Sequence, residues 1–183
     1  SRSLDTEVLY NAALIFRKLS PVLTNHEFIV SKGGLQPLQL LSRTQDIGVN
    51  RQAMAAMRDM ASNLTYKVTM AEEGCLRRAI ELARFEDLAI RILAMGTLRH
   101  LSVNTRLKRP LMTEGVLGPI FASIQDEVQD VDLLRQCSAI IGNMTENGEN
   151  QVAMIKDGLL PRLSKLGMVI HPDIQLDVSR TFA

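Results

Sequence analysis

The middle of the chain carries two apolar stripes of helical period. Within residues 75–84, Leu76, Ala79, Ile80 and Ala83 recur at i, i+3, i+4 and i+7, which places them on one face of a helix. A longer stripe over 85–102 runs through Leu88, Ile92, Met95, Leu98 and Leu101, with Asp87 near its start. Ahead of both, residues 65–73 hold apolar Val68, Met70 and Ala71. The pattern predicts three helices, over 65–73, 75–84 and 85–102. Gly74 stands at the first corner, where a residue able to adopt the left-handed conformation lets one helix stop and the next start sharply. No alternating apolar run of strand length occurs, and no connection exceeds about six residues.

This triplet recurs. FRKLS (16–20), MRDMA (57–61), LRHLS (98–102) and IGNMT (141–145) place Leu19, Met60, Leu101 and Met144 at steps of 41, 41 and 43 residues. A second anchor, GGLQPL, GCLRRA, GVLGPI and GLLPRL, places Gly33, Gly74, Gly115 and Gly158 at the same steps. Each of these glycines is followed two residues later by Leu35, Leu76, Leu117 or Leu160. Two anchors in register through four copies, sharing one two-residue insertion, define a repeat protein. Pro37, Pro119 and Pro161 fall in the first turn of the second helix, where a missing N–H costs nothing. Pro110 lies inside a first helix and delays or bends its start. Asn63, Asn104 and Asn147 follow the third helices and end them or cap the next ones.

A helix triplet of this length, with glycine between the first two helices, resembles the armadillo repeat. The resemblance covers essentially the whole chain. It implies an all-α fold, a right-handed superhelical solenoid over 1–183. Residues 4–20 read as the third helix of a truncated repeat, 24–62, 65–104 and 105–146 as repeats, and 148–183 as a second truncated repeat. Leu176 and Phe182 would then lie on an uncapped end, and terminal repeats need polar outer faces. The chain is therefore expected to be cut from a longer array. The SRS start is either natural or a cloning remnant.

Composition narrows the function. Apolar residues make up 46% and aromatics 4% with no tryptophan, so the core must rest on Leu, Ile, Ala and Met. Met54, Met57, Met60 and Met70 are expected there as gap-fillers. A net charge of +1 argues against nucleic acid, and no aromatic stands where a base would stack. The two cysteines, Cys75 and Cys137, read as buried thiols in a reducing compartment. No signal peptide and no membrane-length apolar run is visible. A cytoplasmic location is expected, with the nucleus as the alternative and any membrane link supplied from outside this stretch.

The armadillo resemblance implies that the third helices line a concave groove and that an asparagine near their ends holds a peptide backbone. That position is Lys18, Asp59, His100 and Asn143 here, so only Asn143 keeps the amide. Four residues earlier, where import adaptors of this family carry tryptophan, stand Leu14, Ala55, Gly96 and Ala139, which sets nuclear-signal reading aside. One residue before the ladder stand Arg17, Arg58 and Arg99, then Gly142; seven and eight before it stand Gln52 with Arg51 and Gln136 with Arg135. Offsets of four, seven and eight share a helix face. Stacked at roughly 10 Å, the three arginines would clamp carboxylates of an acidic segment, as β-catenin-like members of the family do. Exposed helices also carry arginines that do nothing but cover apolar surface with their stems.

Other chemistry finds no support in the sequence. His26, His100 and His171 lack partners at ligand spacing, so no metal is expected. No nucleophile motif and no phosphate loop occurs, so neither a cofactor nor a small-molecule substrate is expected. The reading is a non-enzymatic scaffold or adaptor that binds an extended or helical segment of a partner protein, acidic where the arginines make the contact. The rival readings are a structural or organelle-positioning component, held by a lipid anchor elsewhere or by end-to-end assembly, and a regulator of a small GTPase.

Overall fold

The computed structural model describes residues 4–125 and 130–182. The SRS start and Ala183 lie outside the described residues. The described residues form two compact units, one up to Leu101 and one from Ser102 onward, and no strand occurs among them.

The first unit holds α1 (Leu4–Leu19), α2 (Leu23–Ser31), α3 (Leu35–Leu41), α4 (Ile47–Ala61), α5 (Lys67–Glu72), α6 (Cys75–Leu82) and most of α7 (Leu88–Ser102). The second holds a 3₁₀ turn (Thr105–Leu107), α8 (Lys108–Thr113), α9 (Leu117–Gln125), α10 (Val131–Thr145), α11 (Gly148–Lys156), α12 (Leu159–Gly167) and α13 (Pro172–Phe182).

Helix boundaries follow from side-chain caps. Asp46, Asp87 and Asp130 accept from the backbone N–H of Val49, Ile90 and Leu133 at 2.8, 3.0 and 2.9 Å, each satisfying an orphan donor of a third helix. α7 therefore starts at Leu88, three residues later than the apolar pattern alone suggests. The Asn63 side chain accepts from Thr65 N–H at 3.0 Å, and α5 is correspondingly delayed to Lys67. Asn104 and Asn147 cap the 3₁₀ turn and α11. That 3₁₀ turn precedes α8, so Pro110 occupies its first turn, where no N–H is needed. All four corner glycines take positive φ, from +71° at Gly33 to +95° at Gly74.

In the first unit α4 packs against α1 and α3, and α3 also meets α1 and α6. α1 leaves Leu4, Val8 and Ile15 exposed, whereas Leu38, Met54, Met57 and Met60 of α3 and α4, Met70 of α5 and Met95 and Leu98 of α7 have no exposed surface. Burying each such side chain contributes about 1.5–3 kcal/mol. The methionines thus fill the core. In the second unit α10 packs against α9, α11 and α13, and α12 against α9, α11 and α13. Ile120, Ile124, Cys137, Ile140, Met144, Met154 and Ile174 are fully buried there.

One polar device recurs at the repeat step. His26 Nε2, Lys67 Nζ and Gln151 Nε2 each donate to the carbonyl six residues earlier, at Ser20, Ala61 and Thr145, over 2.6, 2.7 and 2.7 Å. Each ties the first helix of a repeat to the orphan carbonyls that end the preceding third helix.

Candidate functional site

α4, α7 and α10 turn Met, Leu, Ile and Ala residues inward and leave the ladder at the water boundary. On α4, Met54, Met57 and Met60 are buried while Gln52, Arg58 and Asp59 are half-buried and Arg51 is exposed. On α7, Leu98 and Leu101 are buried while Arg99 and His100 are half-buried. On α10, Arg135, Gln136 and Asn143 stand half-buried beside buried Leu134, Cys137 and Met144. Arg17 is half-buried and Lys18 exposed near the end of α1.

Arg17 and Arg58 meet at one carboxylate. Arg17 Nη1 donates to Asp59 Oδ2 at 2.6 Å, and Arg58 Nη2 donates to Asp59 Oδ1 at 3.1 Å. Ser20 Oγ adds a third donor, to Asp59 Oδ2 at 3.1 Å. Both oxygens of Asp59 are therefore held, in an arrangement that suits a planar carboxylate. Arg51 makes a two-nitrogen bridge to Asp87, through Nε at 3.1 Å and through Nη2. These hydrogen bonds hold the Asp87 carboxyl below its ordinary range and raise Arg51. Arg135 repeats the device in the second unit, reaching Asp173 at 3.0 Å and Asp132 at 3.3 Å.

His100 is a neutral member of the ladder. Burial pushes its imidazole down to about 4, reinforced by Arg99, Lys67 and Arg58 and opposed by Asp59. Its backbone carbonyl accepts from Lys67 Nζ. Lys67 is 2% exposed, and burial lowers its ammonium to about 8. In the second unit Asn143 Nδ2 donates to Ser102 Oγ at 2.9 Å, so the ladder amide is engaged within the chain. Gln136 carries a buried side-chain oxygen with no donor among the described residues.

Sequence reading missed Asp87 and Asp173 as the carboxylates that meet Arg51 and Arg135, and it missed Lys67; Asp59 already stood in the ladder. Asp46, Asp87 and Asp130 recur at the repeat step, a signal that marks third-helix starts. Ser20 recurs as Ser102 and Thr145, and Lys67 as Lys108, in the same repeat register, but neither recurrence by itself points to binding. Two open clefts in the second unit, of about 290 and 220 Å³, lie at α10–α13; the larger is lined by Ile155, Leu160, Leu163 and Phe182, the smaller by Gly142, Glu146 and Arg180. Neither contains a predicted site residue. Among the described residues no group of three or more His, Cys, Asp or Glu could hold a metal ion. Cys75 and Cys137 are buried and not joined in a disulfide, and burial, with Glu73 nearby, pushes the Cys75 thiol up to about 12. No helix among the described residues is long and apolar enough to cross a membrane.

No protein-family model and no curated protein matches the sequence at a significant level. Solved structures do match the fold. A computationally designed armadillo repeat protein for modular peptide recognition superimposes with a TM-score of 0.90 at 21% identity, over 98% of this chain and 76% of that one. A designed armadillo repeat protein in complex with the peptide (KR)4 gives a TM-score of 0.87 at 20% identity, over 100% of this chain and 76% of that one. The fold is thus the all-α armadillo-repeat solenoid that the glycine and leucine anchors implied.

Proposed function

We propose that this chain is a non-enzymatic interaction scaffold whose third-helix face binds an extended or helical, acidic segment of a partner protein. The observation that carries this reading is the convergence of Arg17 and Arg58, with Ser20, on the two oxygens of a single carboxylate. Guanidinium forks recognise carboxylates through paired hydrogen bonds that a lysine cannot reproduce. Lys18 adds positive charge on α1, and Arg99 adds it on α7. His100, neutral, adds no charge beside Arg58 and Arg99.

The solved neighbour in complex with (KR)4 binds a peptide of the opposite charge. On a shared fold, side-chain charge decides which peptide is taken. The test is fluorescence anisotropy with labelled oligoglutamate and (KR)4 peptides at low salt. Oligoglutamate is expected to bind and (KR)4 to bind far more weakly. Arg17→Glu/Arg58→Glu/Arg99→Glu, verified as folded, is expected to abolish oligoglutamate binding. A preference for (KR)4, or oligoglutamate binding unchanged in the triple variant, sinks the proposal.

A further inference from the structure

Asp59 occupies the place that an acidic partner would need. Its carboxylate is 16% exposed, whereas the Arg17 and Arg58 side chains that grip it are 34% and 36% exposed. The Asp59 side chain is thus more covered than either arginine that holds it. We propose that Arg17, Arg58 and Ser20 form a carboxylate-exchange site, filled by Asp59 in the free protein and by an Asp or Glu side chain of the partner in the complex. This rests on the acidic-segment reading and adds its ligand chemistry and its competitor.

The physical consequence is that binding is a replacement. Each guanidinium offers five N–H donors in a fixed plane, and the contacts with Asp59 aim one donor of each at a different oxygen of the same carboxylate. An incoming carboxylate that takes over these donors leaves Asp59 charged, close by and without its arginine contacts. Like charge at that range opposes the ligand. Affinity is therefore held down by Asp59, and the site rejects acidic segments too weak to displace it.

The experiment is oligoglutamate anisotropy at low salt on the full chain, comparing wild type, Asp59→Asn and the Arg17→Glu/Arg58→Glu/Arg99→Glu variant. Asp59→Asn keeps the shape, and a hydrogen-bonding oxygen for Arg17 and Ser20, while removing the competing charge. Its affinity is expected to rise on the order of tenfold, the scale of one nearby like charge removed, and the gain is expected to shrink with added salt. Asp59→Ala serves the same purpose if the asparagine variant does not fold. Wild type supplies a second readout: saturating oligoglutamate should move the Asp59 carboxyl ¹³C resonance toward that of a solvent-exposed aspartate. If the triple variant loses binding while Asp59→Asn matches wild type and the resonance stays put, the exchange site is wrong and the acidic-segment reading stands. Absence of binding by every variant overturns both.

Discussion

At the residue scale, a buried group shows its environment through the pH at which it would take or lose a proton. His100 keeps its imidazole neutral down to about 4, well under the ordinary value near 6.5. As pH falls through that interval the unfolded chain is protonated first, so the folded state loses stability. The contribution is whole above about 6.5 and is lost progressively toward about 4. Urea unfolding across this range should show a declining acid limb in wild type, flatter in His100→Gln. Equal limbs would mean that the ring is not shielded in the folded chain. Lys67 shows why such groups can be tolerated: its buried ammonium donates to the Ala61 and His100 carbonyls, the negative ends of two third helices. That favourable placement does not abolish the desolvation cost, and its ammonium still sits at about 8.

At the element scale, the corner between the first two helices is a backbone requirement. Gly115 has φ of +81° and open space where a Cβ would stand. Gly115→Ala should therefore cost only the left-handed penalty, about 1–2 kcal/mol. Gly74 has φ of +95°, and a Cβ there would lie 3.0 Å from Gln39 Oε1. The same Gln39 amide donates to Glu73 O at 2.6 Å. Gly74→Ala should cost roughly 1 kcal/mol more than Gly115→Ala, through that hydrogen bond. Urea midpoints at constant m-value measure both, and equal losses would show that Gln39 adapts freely. These corners were legible because a positive φ restricts residue type, and a restriction repeated at Gly33, Gly74, Gly115 and Gly158 prints itself on the sequence. The charge pairs were not. Arg17 and Asp59 are 42 residues apart, Arg51 and Asp87 36, whereas a helical period relates only residues a few turns apart on one helix. Asp59 itself was read as a ladder residue, but its role as the arginines' ligand needed the neighbouring helix.

At the scale of the whole molecule, a net charge of +1 supplies almost no long-range attraction for an acidic peptide. Any preference must come from where the cations stand, within a Debye length of about 10 Å at ordinary salt. Net charge and local placement can be separated by moving the same charge change elsewhere. Lys32, Arg109 and Lys156 are exposed and lie outside the third helices. Lys32→Glu/Arg109→Glu/Lys156→Glu alters the total charge by as much as the triple change at Arg17, Arg58 and Arg99. Measured at about 0.1 M salt, the first set should shift oligoglutamate affinity by less than about threefold, because screening blunts distant exposed charges. The second should abolish it. Equal losses from both sets would mean that the molecule attracts acidic peptides by overall charge alone, and the ladder would then carry no specificity of its own.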